Sequence, residues 1–275
     1  MKRVLVTGAT SGLGREIAVQ LARRGWQIAL SGRRPEKLKE AAAAVREAGG
    51  EALELLGAVD VPEDVKNHHA KILEAWGGVD WAILNAGVGD SQDAREFSAE
   101  NVRWTMDINV MGAAYWLEAL IPGMIAQGAG KIAGVSSIAG FRGLPKAGAY
   151  CASKAALTTL LESTRVDLRD TGVEVLTVCP GFVKSELTDR NDPRDMLFLL
   201  ETTDGASRII RGIEAGRKLI HFPWQLSMLM IYIVHNLPNW LYDVVIRRGA
   251  KRRKKPYVDP QRRNPPSIDS QKRGR

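Results

Sequence analysis

Along the first 222 residues, short runs of β-branched and apolar residues alternate with longer stretches whose apolar positions recur every three to four residues. The runs are RVLVT (3–7), WQIALS (26–31), EALELLGAVD (51–60), VDWAILN (79–85), GKIAGVSS (130–137), VEVLTVCP (173–180) and KLIHF (218–222). Their near-continuous apolar character predicts strands of a parallel sheet covered on both faces. The stretches between them, including 12–24, 35–48, 62–76 and 150–170, predict helices. Gly25, Gly49 and Gly172 stand where three of these helices should stop, as glycines just past a helix C-terminus do. No internal repeat occurs. The pattern predicts one doubly wound α/β domain over residues 1–222, then an apolar and basic extension over 223–255 and a tail over 256–275.

The first predicted strand runs directly into TGATSGLG (7–14) and then into a helix. Gly8, Gly12 and Gly14 let the backbone turn sharply and approach a pyrophosphate, while the helix N-terminus offers unpaired N–H groups and the positive end of its dipole. A glycine-rich turn between strand and helix is the context a dinucleotide site requires. The G-x-x-x-G-x-G spacing differs from the commoner G-x-G-x-x-G, and the plain alternative is a turn that binds nothing.

Further along, YCASK (150–154) sets a tyrosine and a lysine one helical turn apart with only small residues between them. Five tyrosines and 14 lysines among 275 residues produce such a pair by chance in roughly one chain in four, so context must decide. A free phenol titrates near pH 10, too high for ready proton exchange at neutrality. A fixed ammonium within about 4–6 Å favours the phenolate, so Lys154 is expected to lower the pKa of Tyr150.

In order and spacing, TGATSGLG, NAG (85–87), Asn109, Ser137, Tyr150 with Lys154, and PG (180–181) together resemble the short-chain dehydrogenase/reductase family over roughly residues 1–222. The resemblance implies a Rossmann-like, doubly wound seven-stranded parallel sheet with helices on both faces. It also implies an oxidoreductase acting on a small-molecule carbonyl or alcohol, and assembly as a homodimer or homotetramer. Tyr150 would be the general acid and base, Lys154 its partner and a holder of the cofactor ribose, Ser137 the residue bonded to the substrate oxygen, and Asn109 the holder of a water in the proton relay. Ser136 neighbours Ser137, but alternation along the strand points it to the other face. The expected cofactor contacts are Gly8, Thr10, Ser11, Gly12, Leu13 and Gly14 of the turn; Asp60, closing the third strand, and Val61 near the adenine; and Asn85, Ala86 and Gly87 beside the adenosine ribose. Pro180, Gly181, Val183 and Ser185 would lie by the nicotinamide, with Thr188 as the weaker alternative to Ser185. Leu84 stands where the family usually has another Asn before NAG.

The end of the second strand discriminates between nicotinamide cofactors. A carboxylate there bonds the ribose hydroxyls of NAD, whereas a basic residue accommodates the extra phosphate of NADP. The sequence ALSGRRPEKL puts Gly32 where the acid would stand and Arg33 and Arg34 just beyond. NADP(H) is therefore expected, with NAD(H) the less favoured cofactor. Arg33 is the preferred phosphate ligand and Arg34 a second cofactor contact, with a cap of the next helix as the alternative for Arg34 and a solvated basic pair as the plain alternative for both.

Composition changes this picture little. A hydrophobic fraction of 45% and a charged fraction of 25% are those of an ordinary soluble globular protein. Only two cysteines occur and the N-terminus lacks a signal-peptide pattern, which together predict a reducing, cytoplasmic setting. The adjacent His68 and His69 diverge by about 100° on a helix, and no His, Cys and carboxylate cluster has ligand spacing, so no metal is expected.

Charge changes it more. The net +8 divides into 12 Lys or Arg against two Asp in residues 247–275, and 27 basic against 29 acidic residues before them. The body carries no electrostatic invitation to nucleic acid, so specific nucleic acid is not expected; binding through the tail would be nonspecific and salt-sensitive. Residues 222–246 are unusually apolar, with Trp224, Tyr232, Trp240 and Tyr242, and RRGAKRRKK follows with seven basic residues in nine. The uninterrupted apolar core is far short of the roughly 20 residues a spanning helix needs. Apolar and aromatic residues beside a polybasic run suit a peripheral anchor on an anionic membrane; a cover over the substrate pocket or a subunit interface is the alternative. The tail from Pro256 is expected to be disordered. The substrate pocket should draw on residues 90–97, 141–146 and 184–213, whose apolar content tilts the expectation to a lipophilic ketone or secondary alcohol. Against the enzyme stands a catalytically idle dinucleotide-binding protein that recruits a membrane or partner through its extension; the intact Ser, Asn, Tyr and Lys set favours the enzyme.

Overall fold

The computed structural model describes residues 1–189 and 196–250, with side chains through Ile246. The predicted tail, and the part of the basic run from residue 251, lie outside the described residues. Seven parallel strands form one sheet: β1 (Arg3–Thr7), β2 (Gln27–Gly32), β3 (Glu51–Leu56), β4 (Trp81–Leu84), β5 (Gly130–Val135), β6 (Val173–Pro180) and β7 (Leu219–Phe222). Their order is β3-β2-β1-β4-β5-β6-β7. The chain winds outward from β1 in both directions, and such a reversal opens a crevice at the strands' carboxyl ends.

Helices cover both faces because the central strands are apolar on both sides, while the edge strand β3 is only partly buried. Val4 and Val6 face one core, with Ile17 and Leu21 of α1 (Gly12–Ala22), Leu38 and Val45 of α2 (Pro35–Glu47), and Ile209 and Ile213 of α7 (Thr202–Glu214). Leu5 faces the other, with Ile72 of α3 (Pro62–Trp76), Trp116 and Leu120 of α5 (Gly112–Gln127), and Leu157 and Leu161 of α6 (Gly148–Asp167). Each fully buried Leu or Ile here contributes roughly 1.5–3 kcal/mol of apolar burial. α4 (Ala99–Met106) joins α5 through a π-helical segment, Asp107–Met111. The stretch Ala99–Gln127 is long and apolar enough by length and composition to cross a membrane, but Ala113, Trp116, Leu117, Leu120 and Met124 are packed into the core.

The third strand ends earlier than its apolar run. Pairing stops at Leu56; the Ala58 N–H then turns to the Asp64 carboxylate at 2.8 Å, and Asp60 lies in this turn instead of closing the strand. Val61 is the N-cap residue of α3.

Beyond β7 come α8 (Trp224–Met228), a π-helical segment (Leu229–Val234) and α9 (Asn239–Ala250). Arg142 fastens this extension to the domain. Its guanidinium donates to the carbonyls of His235 at 2.6 Å and Leu237 at 2.9 Å and to Asn239 Oδ1 at 2.9 Å, and it lies over the Tyr242 ring. Those carbonyls follow the end of a helical segment and have no partner within it, so one planar five-donor group closes several orphan acceptors at once.

Candidate active site

The turn after β1 is built by side chains that hold it open toward the crevice. Thr7 Oγ1 accepts from the N–H groups of Asn85 and Ala86, both at 3.0 Å, and Asn85 Nδ2 donates to the carbonyls of Thr7 at 3.1 Å and Gly8 at 3.3 Å. Gly8 adopts φ +63°, and a Cβ there would lie 2.8 Å from Ala86 Cα; a Cβ at Gly14 would lie 2.4 Å from the Gly8 carbonyl oxygen. Only glycine fits either position. The Asn85 side chain thus acts as a strut of the turn. Ser11 is the N-cap residue of α1 yet gives that helix no side-chain cap, so unpaired N–H groups of the first turn are free to meet an anion. A dinucleotide pyrophosphate fits this donor set.

Arg34 reaches farther than a cap. It precedes α2 but makes no side-chain cap bond; instead its guanidinium donates to Thr10 Oγ1 at 2.8 Å, Ser11 Oγ at 2.8 Å and Glu186 Oε2 at 2.7 Å. Lys37, one turn into α2, pairs with the other oxygen of Glu186. Burial alone would raise the Glu186 carboxyl, but bonds from Lys37 and Arg34 outweigh it and hold the group at about 2. Arg33 also lines the crevice. A Cβ at Gly32, where an acid would have stood, would fall 2.4 Å from Thr10 Cγ2. Neither Lys37 nor Glu186 was singled out from sequence; Lys37 sits three residues past Arg34 on one helix face, a spacing that could have flagged it.

Four side chains meet at the other end of the crevice. Tyr150 and Ser137 line the cleft together; burial raises the phenol's pKa and the Ser137 side chain lowers it. Ser137 follows β5 as the N-cap of a short 3-10 turn, where its Oγ accepts from the Ala139 N–H at 3.1 Å. Ser136 turns away as alternation requires, donating to the Lys154 carbonyl at 2.8 Å. Asn109, in the π-helical segment, closes a ring of bonds: Oδ1 accepts from Val88 N–H at 2.7 Å, and Nδ2 donates to the Val88 carbonyl at 2.8 Å and Ser153 Oγ at 2.9 Å. Its side chain locks the loop after β4 to α6. A π-bulge is a frequent marker of functional sites.

Lys154 departs from the sequence expectation. Its ammonium, on a side chain 3% exposed, donates to the Val135 carbonyl at 2.9 Å and stands 5.6 Å from the Tyr150 ring centre. Burial lowers Lys154 to about 8. Burial likewise pushes Tyr150 up to about 12, with the Ser137 side chain opposing it. Desolvation therefore dominates the phenol, and the ammonium is not among the groups that shift it. A Cβ at Gly87 would lie 3.2 Å from Lys154 Nζ, and one at Gly89 would lie 2.7 Å from the Tyr150 ring. The glycines of the β4 loop let it lie directly on the Tyr–Lys pair.

Ser137, Tyr150 and Lys154 line one cleft with the glycine turn, Arg33, Arg34 and Glu186, of about 920 Å³, toward the upper end of ligand-pocket sizes; Asn109, Gly14 and Lys37 are not among its lining residues. The cleft also takes in Asp60, Pro180, Gly181, Val183, Ser185 and Thr188. Ser185 packs on the turn, its Cβ 3.2 Å from where a Gly12 Cβ would be, and the Thr188 hydroxyl donates to the Val183 carbonyl at 2.8 Å. The substrate end is walled by Ile138, Leu144, Phe182 and Leu187, and by Leu226 and Met230 of the extension. Val61 is not among the lining residues. Among the described residues no three His, Cys, Asp or Glu side chains are grouped to hold a metal ion.

The family model described as short chain dehydrogenase matches residues 2–195. An uncharacterized oxidoreductase of Myxococcus xanthus is 44% identical over 248 residues, which is 90% of this chain and 97% of that protein. A 3beta-hydroxysteroid dehydrogenase of Mediterraneibacter gnavus is 36% identical over 191 residues, 69% of each. Among solved structures, a short chain dehydrogenase/reductase from Burkholderia phymatum in complex with NAD superposes with a TM-score of 0.78 at 28% identity, covering 94% of this chain and 98% of that one. The L-sorbose reductase from Gluconobacter frateurii, complexed with NADPH and L-sorbose, superposes with a TM-score of 0.72 at 26% identity, covering 80% and 93%. On the family-model match and these relatives, the chain belongs to the short-chain dehydrogenase/reductase family of oxidoreductases acting on CH–OH groups.

Proposed function

We propose that the chain interconverts a lipophilic ketone and its secondary alcohol with NADP(H), using Tyr150 as proton donor and acceptor. The observation that carries this reading is that Tyr150 and Ser137 both line the cleft that the glycine turn opens, with the Lys154 ammonium 5.6 Å from the ring centre. The glycine turn would hold the pyrophosphate of a bound dinucleotide, and Pro180, Gly181 and Ser185 its nicotinamide, which would supply or accept hydride. In reduction Tyr150 gives its proton to the carbonyl oxygen while Ser137 bonds that oxygen; in oxidation Tyr150 takes the proton back. A phenol near 12 is fully protonated at neutral pH, so the resting site is set to donate. Lys154 contributes positive charge beside the phenol, and Asn109 holds the β4 loop and α6 in the register that brings the two together.

Arg33, Arg34 and Lys37 beside Gly32 support NADP(H) over NAD(H). The apolar cleft wall and the steroid dehydrogenase among the relatives support a lipophilic substrate. A panel of ketones and secondary alcohols followed at the reduced-nicotinamide absorbance, each with both cofactors, tests the reading: turnover confined to small polar sugars or acids, or equal efficiency with NADH, contradicts it.

A second element of the proposal is peripheral attachment to an anionic membrane from the cytoplasmic side. Leu226 and Met230 face the cleft, while the same extension turns Trp224, Tyr232, Ile233, Trp240, Val244 and Val245 to solvent, Trp240 at 71% exposure. An exposed apolar patch of this kind marks an interaction surface. The basic run that follows in sequence is worth about 1 kcal/mol per residue near anionic lipid. Homodimer or homotetramer assembly belongs to the same proposal and is read by light scattering.

A further inference from the structure

We propose that Glu186 is a resident anion on the cofactor-phosphate site: its carboxylate holds the Arg34–Lys37 cation pair that a 2′-phosphate would use, and so sets how strongly the chain prefers a phosphorylated cofactor. This rests on the NADP(H) reading above.

The geometry leads there directly. Arg34 and Lys37 sit at the end of β2 and the start of α2, where the adenosine ribose of a bound dinucleotide falls in folds of this kind. Each gives its charge to a different oxygen of the Glu186 carboxylate, and Ser11 Oγ lies 3.3 Å from the oxygen that Arg34 holds. Thr10 Oγ1 completes the cluster on the same guanidinium. Two cations and two hydroxyls offer more donors than one carboxylate can accept, whereas a phosphate dianion presents three oxygens and matches them better.

Glu186 itself comes from the segment after β6, 152 residues from Arg34. Its side chain is 43% exposed, so its two ion pairs fall in the class worth little to folding. A carboxylate held at about 2 remains an anion throughout the working pH range. A second anion brought to the same cations must displace it or meet its repulsion, while a cofactor lacking the 2′-phosphate meets neither. Glu186 therefore costs the phosphorylated cofactor affinity and leaves the other unaffected.

The test compares adenosine 2′,5′-bisphosphate with adenosine 5′-phosphate, two probes that differ only in the 2′-phosphate, by isothermal titration calorimetry on the full chain and its Glu186→Gln and Glu186→Ala variants. Both substitutions should tighten the bisphosphate by roughly three- to tenfold, the release of two partly exposed ion pairs, and leave the monophosphate unchanged. Weaker bisphosphate binding would mean that Glu186 clasps the bound cofactor, and an equal change for both probes would mean a general effect on the loop; either overturns the proposal. The Arg34→Ala variant separates the two readings. If it fails to reduce the preference for the bisphosphate, the NADP(H) assignment at this site falls; if it reduces that preference while the Glu186 variants do nothing, the assignment stands and the resident anion falls.

Discussion

The Lys154 ammonium lies over the Tyr150 ring, 5.6 Å from its centre, and is tethered to the Val135 carbonyl rather than to the phenol oxygen. Both groups pay for burial in opposite directions: the phenol rises to about 12 and the ammonium falls to about 8. A lysine that titrates near 8 gives the free enzyme a pH limb that a surface lysine would not. Carbonyl reduction needs the proton on Tyr150, which is kept through the accessible range, and the charge on Lys154, which is lost as pH rises through about 8. The kcat/KM for reduced cofactor should therefore fall above pH 8, since this quantity reports groups of the free enzyme. Lys154→Arg should move that limb out of range, because a guanidinium stays charged. A flat profile from pH 6 to 10 would count against the role given to Lys154.

The same burial makes Lys154 a stability liability. Unfolded, it titrates near 10.5; folded, near 8. Between these values the unfolded chain binds more protons, so this group's contribution to stability rises with pH across that window, and below it the buried charge is a constant penalty. A shift of this size corresponds to roughly 3 kcal/mol, of which the lost bond to Val135 returns about 1–1.5. Lys154→Met should thus abolish turnover yet raise Tm at pH 7 by roughly 2–6 °C. A lowered Tm would show that the bond to Val135 outweighs the desolvation.

Asn109 is bonded at every polar position of its side chain, to Val88 and Ser153. Asn109→Ala should cost about 2–4 kcal/mol by leaving buried groups of Val88 unpaired, measured by urea denaturation. Turnover should drop with it, since the β4 loop lies on Lys154 and Tyr150. Loss of less than about 0.5 kcal/mol, the range of an ordinary surface change, would show that the ring of bonds is dispensable.

Arg142 is the tether of the extension. Arg142→Ala removes its bonds to His235, Leu237 and Asn239 and its stacking on Tyr242. Limited proteolysis should then cut within residues 229–246 first, and KM for a lipophilic substrate should rise more than kcat falls, because Leu226 and Met230 form part of the cleft wall. Unchanged protection and KM would detach the extension from substrate binding.

For the membrane surface, the pair Ile233→Glu and Trp240→Glu should remove co-sedimentation with phosphatidylserine-containing liposomes at physiological salt. Both side chains are more than half exposed, so the fold should tolerate them. Wild-type pelleting that these changes leave intact, or their conversion of an oligomer to a monomer, would assign the patch elsewhere.

Much of this architecture was written in local pattern. β1 and β6 coincide with their apolar runs because strands buried on both faces need unbroken apolar sequence, and the glycine turn was legible because Gly8 and Gly14 answer steric demands that no other residue meets. The Tyr150–Lys154 spacing likewise lies within one helix. What was not legible depends on tertiary approach. β3 was read on to Asp60, but a side chain from the next helix, Asp64, captures the Ala58 N–H and ends the pairing. The fall in Lys154 basicity follows from the burial of its ammonium against Val135, 19 residues away, which helical spacing does not encode. Glu186 meets Arg34 only because the sheet order brings the ends of β2 and β6 to one crevice.

The central claim is that the Tyr150 hydroxyl is the group that exchanges the proton while the cofactor is held by other residues. Tyr150→Phe removes that oxygen and little else. Measured on one preparation, cofactor affinity by fluorescence titration should stay within about twofold of wild type, while turnover of an active ketone should fall by a factor of at least about 10²–10⁴, the range of general acid catalysis. Near-wild-type turnover with intact cofactor binding would contradict the account.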